Sequence, residues 1–429
     1  MPVNLNLNVR GLAPSATLAI NEQCTRLIKE GRKVFKLGLG QSPFPVPQSV
    51  VEALRRHAHQ KDYLPVKGLP ALKEAISGFN KRNQGIDTHP DDVLIGPGSK
   101  ELIFILQLVY YGDIVIPTPS WVSYSPQARI VGRHVNWVPA SAENDYRLSP
   151  EKLDLICRTD PGRPRVIILN YPSNPTGCTY PIERLKLLAQ VARKYNLILV
   201  SDEIYGMIHH NGHHVSVAHY YPEGTIVSSG LSKWCGAGGW RLGTFSFPPN
   251  LRWLLDAMAI VASETYTATS APIQHAAITA FEGNEEIDDY LRYSRKVLKG
   301  ISRYLIKVLE DHDISVPHPQ GAFYLFPNFE NYRERLQRHG IYTSVEMCRK
   351  LLDDTGVAML PGADFGRPPE ELTARIAYVD FDGQAALQAA EQNNDSKAFD
   401  KSMVKQHCPR LVEAFDRIVE WLEGLRIES

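Results

Sequence analysis

Between residues 91 and 247 the chain repeats one alternation, a short run of β-branched and aliphatic residues followed by a longer stretch with helical spacing. The runs are 93–96, 114–117, 135–138, 166–170, 198–203, 225–228 and 242–247. Strands that are apolar almost throughout, rather than alternating with polar residues, are covered on both faces, and helical crossovers between them return the chain in the same direction. The pattern dictates an α/β fold: a mostly parallel seven-stranded sheet sandwiched by helices. Ligands of such sheets sit beyond the carboxyl ends of the strands, and the conspicuous polar motifs fall where several of these runs end.

The flanks have a different texture. Residues 12–31 have helical spacing closed by Gly31, and 34–39 form a short strand that runs into a loop, 40–47, whose three prolines exclude helix. Helices follow at 48–59 and 69–82, separated by a loop at 62–68. After residue 248 a long helical pattern at 284–312 bridges to a smaller α+β unit, with strands within 322–326, 357–360 and 373–379, a helix at 344–356 and a last amphipathic helix at about 409–425. Residues 383–407 are polar and poor in β-branched residues, which predicts an inserted helix with a mobile loop. A chain of 429 residues implies two or three domains at a typical size of roughly 100–200 residues each.

Lys plus Arg equals Asp plus Glu at 47 each, so nothing in the charge balance calls for nucleic acid or an anionic membrane. No apolar run approaches the ~20 residues of a membrane span, and residues 1–10 lack the basic and apolar blocks of a secretion signal. The six cysteines are scattered without a C-x-x-C pair, which fits a reducing compartment and makes the cytoplasm the expected location.

The stretch 228–243, S-S-G-L-S-K-W-C-G-A-G-G-W-R-L-G, sets Lys233 and Arg241 eight positions apart with little bulk between them. Lys233 could bond to a carbonyl carbon while Arg241 clamps a phosphate with its planar fork; a solvated loop fits this stretch alone equally well. Asn174, in Asn170-Tyr171-Pro172-Ser173-Asn174-Pro175-Thr176-Gly177, precedes a proline and is held extended, with its amide free for a ligand oxygen or simply for a turn. Asp202, at the end of the 198–203 run, is costly to bury without a cation, and a protonated pyridine nitrogen would serve. Gly96-Pro97-Gly98-Ser99-Lys100 opens a helix at 99–110 and aims free N–H groups at an anion, without Walker spacing.

With these motifs in order, the chain resembles the fold-type I pyridoxal-phosphate enzymes, and within them the class I/II aminotransferases of the aspartate aminotransferase superfamily. The resemblance implies pyridoxal 5′-phosphate as cofactor and no metal. It makes Lys233, preceded by Ser232, the Schiff-base lysine, Asp202 the partner of the pyridine nitrogen, and Asn174 and Tyr205 the contacts of the ring's 3-hydroxyl oxygen. Arg241 and the cup of Gly98, Ser99 and Lys100 hold the phosphate, and Trp121 stacks on the ring. Arg375 grips the substrate α-carboxylate opposite Gly40. Tyr63, in the Tyr-x-x-x-x-Gly match ending at Gly68, reaches the partner subunit's cofactor, which implies a homodimer with shared active sites. The implied organisation is an N-terminal arm and part of a small domain at 1–47, a large cofactor-binding domain at 48–300, and the rest of the small domain at 301–429, so that both chain termini build the smaller α+β domain.

The implied reaction is ping-pong transfer of an amino group from an L-amino acid to a 2-oxo acid. The lysine that follows the cup glycine in the aspartate and prephenate branch is replaced by Ser99, with Lys100 one step later, and 261–272 holds no Lys or Arg. The substrate expectation is therefore neutral, aromatic or broad. A lyase, a cyclising synthase or an oxidase could use the same Lys233 and Arg375. The run His209-His210-Asn211-Gly212-His213-His214 reads as a solvated hairpin around its Asn-Gly turn rather than a metal site, and Cys235 as a packed small residue.

Overall fold

The computed structural model describes residues 4–393 and 398–425. Its strands in chain order are β1 (Phe35–Lys36), β2 (Val93–Gly96), β3 (Asp113–Thr118), β4 (Val135–Pro139), β5 (Arg165–Asn170), β6 (Ile198–Asp202), β7 (Thr225–Gly230), β8 (Gly243–Ser246), β9 (Tyr324–Leu325), β10 (Val357–Ala358), β11 (Leu360–Pro361) and β12 (Ala374–Ala377). The seven apolar runs become β2 to β8 and form one sheet, in the order β2-β8-β7-β6-β5-β3-β4. Pairings from β7 through β4 are parallel, whereas β8 runs antiparallel to both its neighbours. The cause lies in the connection: 231–242 stands at the lower limit of about a dozen residues for a crossover and forms no α-helix, so the chain turns straight back after β7.

Alternate residues of the central strands enter different cores, as complete coverage requires. Ile116, Ile168 and Val200 pack with Leu102 and Leu106 of helix Ser99–Val109 and with Leu255 and Met258 of helix Arg252–Glu264. Val115, Ile167 and Leu199 face the other way, onto Leu153 of helix Pro150–Arg158 and Leu185 and Leu188 of helix Ile182–Lys194.

The two ends of the chain meet in a second unit. β1 pairs in parallel with β10, and β11, β12 and β9 form an antiparallel sheet. Lys33 pairs with Glu413, and Arg410 bonds both Asp380 and the Val34 carbonyl. The helix Glu285–Glu310 passes through the 300/301 position; its apolar stripe includes Ile287, Leu291, Leu298, Ile301, Leu305 and Leu309, and its N-cap Asn284 accepts from the Ile287 N–H at 2.9 Å.

Several expectations shift. The first helix is Ala16–Lys29 rather than 12–31, starting after Pro14. The strand at 34–39 shrinks to β1, whose ladder with β10 is only two pairs long, and 357–360 divides at Met359 into β10 and β11. The polar insertion at 383–407 holds two helices, Gly383–Gln392 and Lys401–His407, where one helix with a mobile loop was expected; between them, 394–397 lie outside the described residues.

The solvated hairpin at 209–214 is overturned. Asn211 and Gly212 are exposed, but the flanking residues form no ladder beyond one isolated bridge between His209 and Gly321. His209 and His210 are buried, and burial pushes both imidazoles down to about 4, so they are neutral. His214 Nε2 lies 2.9 Å from the fully buried Glu203 carboxylate, which also accepts hydrogen bonds from Ser201 and Ser216. The Asn-Gly signal marks the turn correctly; tertiary contacts around it pull His209, His210 and His214 inward and leave His213 exposed.

Candidate active site

Two glycines allow the strand ends to converge. β2 stops at Gly96, Gly98 takes a left-handed φ of 95°, and helix Ser99–Val109 begins. β8 starts at Gly243, directly paired with Gly96. A Cβ on Gly243 would strike the Ser99 backbone, and one on Gly98 would strike the Arg241 guanidinium. The helix N-terminus, Ser99, Ser232 and Arg241 are thereby gathered around one space. Arg241 Nη1 donates to the Gly238 carbonyl at 3.0 Å and Nη2 to that of Pro97 at 3.3 Å, and no described carboxylate neutralises it.

Asp202 is the last residue of β6 and is buried. Its Oδ2 accepts from the Tyr124 hydroxyl at 2.6 Å and its Oδ1 from Ser228 at 3.2 Å. Among the described residues it has no cationic partner, so burial outweighs these bonds and pushes its carboxyl up to about 6. Lys233 follows β7 at the same end of the sheet, and its Nζ donates to the Gly40 carbonyl at 2.6 Å. Burial, then Arg375 and Arg241, bring its ammonium down to about 8.

Arg375, on β12, is 1% exposed. Its Nη1 donates to Asn174 Oδ1 at 3.0 Å and Nη2 to the Gly38 carbonyl; its Cζ lies 4.8 Å from the Tyr324 ring centre and 5.0 Å from that of Phe365. Its Nε has no partner and no described carboxylate pairs with it. The Tyr205 and Tyr324 hydroxyls are 2.8 Å apart. Trp121 meets Tyr124 edge to face at 5.2 Å, and Lys100 Nζ stands 5.6 Å over the Trp121 ring.

Of the residues expected from sequence, Gly40, Ser99, Lys100, Trp121, Asn174, Asp202, Tyr205, Ser232, Lys233, Arg241 and Arg375 line a single cleft of about 560 Å³. Gly98 lies behind its wall, against Arg241. Tyr63 does not line it; it is 91% exposed on the loop before Gly68. Sequence reasoning gave no role to Tyr124, Ser228 or Tyr324, nor to Thr17 and Leu18, which close the cleft from the first helix. Tyr324 and Gly40 form one feature, since a Cβ on Gly40 would collide with the tyrosine hydroxyl.

The donor set fits a phosphorylated pyridine aldehyde. An anion cradle built from a helix N-terminus, two hydroxyls and an uncompensated guanidinium stands in one cleft with an amine that loses its proton easily and a buried carboxylate lacking a cation. Among the described residues no group of three or more metal-ligating side chains occurs, and no helix is long and apolar enough to cross a membrane.

Comparison with known proteins agrees. The family model for aminotransferase class I and II matches residues 32–383. An aspartate aminotransferase of Geobacillus stearothermophilus is 35% identical over 392 residues, covering 88% of this chain and 95% of that one. An asparagine–oxo-acid transaminase of Streptococcus mutans is 32% identical, over 87% and 94%. The solved aspartate aminotransferase of Thermus thermophilus with maleate superposes with a TM-score of 0.83 at 27% identity, covering 98% of this chain and all of that one. The chain belongs to the class I and II aminotransferases. It is a transaminase whose cofactor is pyridoxal 5′-phosphate.

Proposed function

We propose that the enzyme moves the amino group of an L-amino acid to a 2-oxo acid in two half-reactions, the first product leaving before the second substrate binds. The observation that carries this reading is Lys233 Nζ, an easily deprotonated amine, sharing a cleft with two guanidiniums and one carboxylate that lack ionic partners among the described residues. When bound, pyridoxal phosphate supplies a carbonyl carbon and an electron-withdrawing ring. Arg241, Ser232, Ser99, Lys100 and the backbone at Gly98 hold its phosphate, Asp202 keeps a proton on its ring nitrogen, Asn174 and Tyr205 bond its ring oxygen, and Trp121 covers its face. Arg375, opposite Gly40, grips the substrate α-carboxylate bidentately once Asn174 and Gly38 yield. Lys233 Nζ would take the proton from the substrate α-carbon and hold it for return two bonds away, on the far side of the amino nitrogen.

For the substrate we propose a broad range that includes acidic side chains. Lys100 supports this, since its Nζ reaches the Trp121 ring on the cleft wall, as do relatives named for aspartate and asparagine and a neighbour solved with maleate, a dicarboxylate. For assembly we propose a homodimer in which Tyr63 completes the partner's site, with the chain divided at 47/48 and 300/301. The six free, buried cysteines support a cytoplasmic location. Measuring 2-oxo acid release with and without an acceptor 2-oxo acid tests the reaction. Transfer stalls after one turnover without acceptor; sustained release without it would mean elimination or oxidation instead.

A further inference from the structure

Helix Glu285–Glu310 carries Arg295, Lys299 and Arg303 on successive turns of one face. Like charges at this spacing destabilise a helix, and no carboxylate of the described residues forms an ion pair with any of the three. They border a cleft of about 480 Å³ that shares no residue with the active site.

The cleft is built rather than incidental. Arg295 Nε donates to the Met207 carbonyl at 2.8 Å, leaving the two terminal nitrogens of its fork for a ligand. Lys299 Nζ is steadied by Asn211 Oδ1 at 2.6 Å. Gly300 lets the opposite wall approach, since a Cβ there would strike the carbonyl of buried Phe399. Burial holds Arg295 and Lys299 below their ordinary ranges, with Arg303 adding to the effect at Lys299, so a negative charge is wanted here.

We propose that this cleft binds a compact polyanion of the phosphate class, separate from the place where the cofactor's own phosphate is held. Of the cations lining the space, which also include Arg292 and Lys296, the guanidiniums of Arg295 and Arg303 and the ammonium of Lys299 suit a diphosphate, whose several oxygens accept forked and single donors together.

The test is calorimetric titration of pyrophosphate into the cofactor-loaded full chain, with chloride holding ionic strength constant. One saturable site per chain is expected. Lys299→Gln with Arg303→Gln should weaken it roughly tenfold or more, about the loss of one charge-assisted hydrogen bond, while amino transfer at saturating substrate stays unchanged. Arg303→Gln alone, at an exposed position, should weaken it severalfold without endangering the fold. Absence of saturation in the wild type, or undiminished affinity in these variants, overturns the site. Citrate binding as tightly as pyrophosphate overturns the phosphate class.

Discussion

Lys233 and Asp202 are both driven towards their neutral forms by burial, and the two shifts have separate measurable consequences. Capture of pyridoxal phosphate by cofactor-free protein needs the neutral amine, so its rate should rise with pH through about 8, where Lys233 titrates. Arg375 is the largest charge holding that value down; Arg375→Met should move the midpoint of the stopped-flow profile upward, and an unmoved midpoint would deny the coupling. For Asp202 the folded carboxyl titrates near 6 against an ordinary 3.8. The folded cofactor-free protein therefore binds this proton more tightly than the unfolded chain, and its stability falls as pH rises between those values and stays low above them. Asp202→Asn removes the buried charge. At pH 7 its cofactor-free form should resist urea better than wild type, by up to ~3 kcal/mol, while transfer falls roughly 10²–10³-fold. A variant neither more stable nor slower would show that Asp202 carries no uncompensated charge.

At the level of elements, the junction of β2, β8 and helix Ser99–Val109 depends on Gly243. Gly243→Ala pushes a methyl into the Ser99 backbone, which should cost about 1–3 kcal/mol as overpacking does. Cofactor dissociation, followed by absorbance after dilution, should quicken at least tenfold; unaltered retention would place the phosphate elsewhere. This junction also marks how far the sequence can be read. Most of the apolar runs were legible because burial on both faces leaves an apolar signature, although the edge strand β4 exposes Asn136 and Trp137; Lys233, Arg241 and Asn174 were legible because glycine or proline punctuates their loops. The reversed direction of β8 was implicit only in the shortness of 231–242. Tyr124 and Tyr324 were not legible as site residues, because each reaches the cleft from an element whose local pattern records only packing. The histidines at 209–214 misled for the converse reason: the local turn signal was sound, but the partners Ala322 and Tyr378 of His210 are distant in sequence, and Glu203, near in sequence to His214, is buried just past the end of β6.

For the whole molecule, Tyr63 is a large side chain 91% exposed outside its own cleft, and Leu5, Leu7 and Leu18 are also exposed near the N-terminus. In the proposed dimer Tyr63 would find cover at the partner's site. Co-expressing Tyr63→Arg chains, which spoil only the partner's site, with Lys233→Ala chains, which spoil only their own, should yield hybrids with one intact site and about half the activity of a wild-type dimer. Dimeric hybrids no more active than either parent would remove Tyr63 from the site. The sheet order has one more consequence, for synthesis. β2 is an edge strand whose sole neighbour is β8, so a chain still emerging from the ribosome carries β2 unpaired until Ser246 is free. Lys233 emerges before the cup that would retain its ligand is closed.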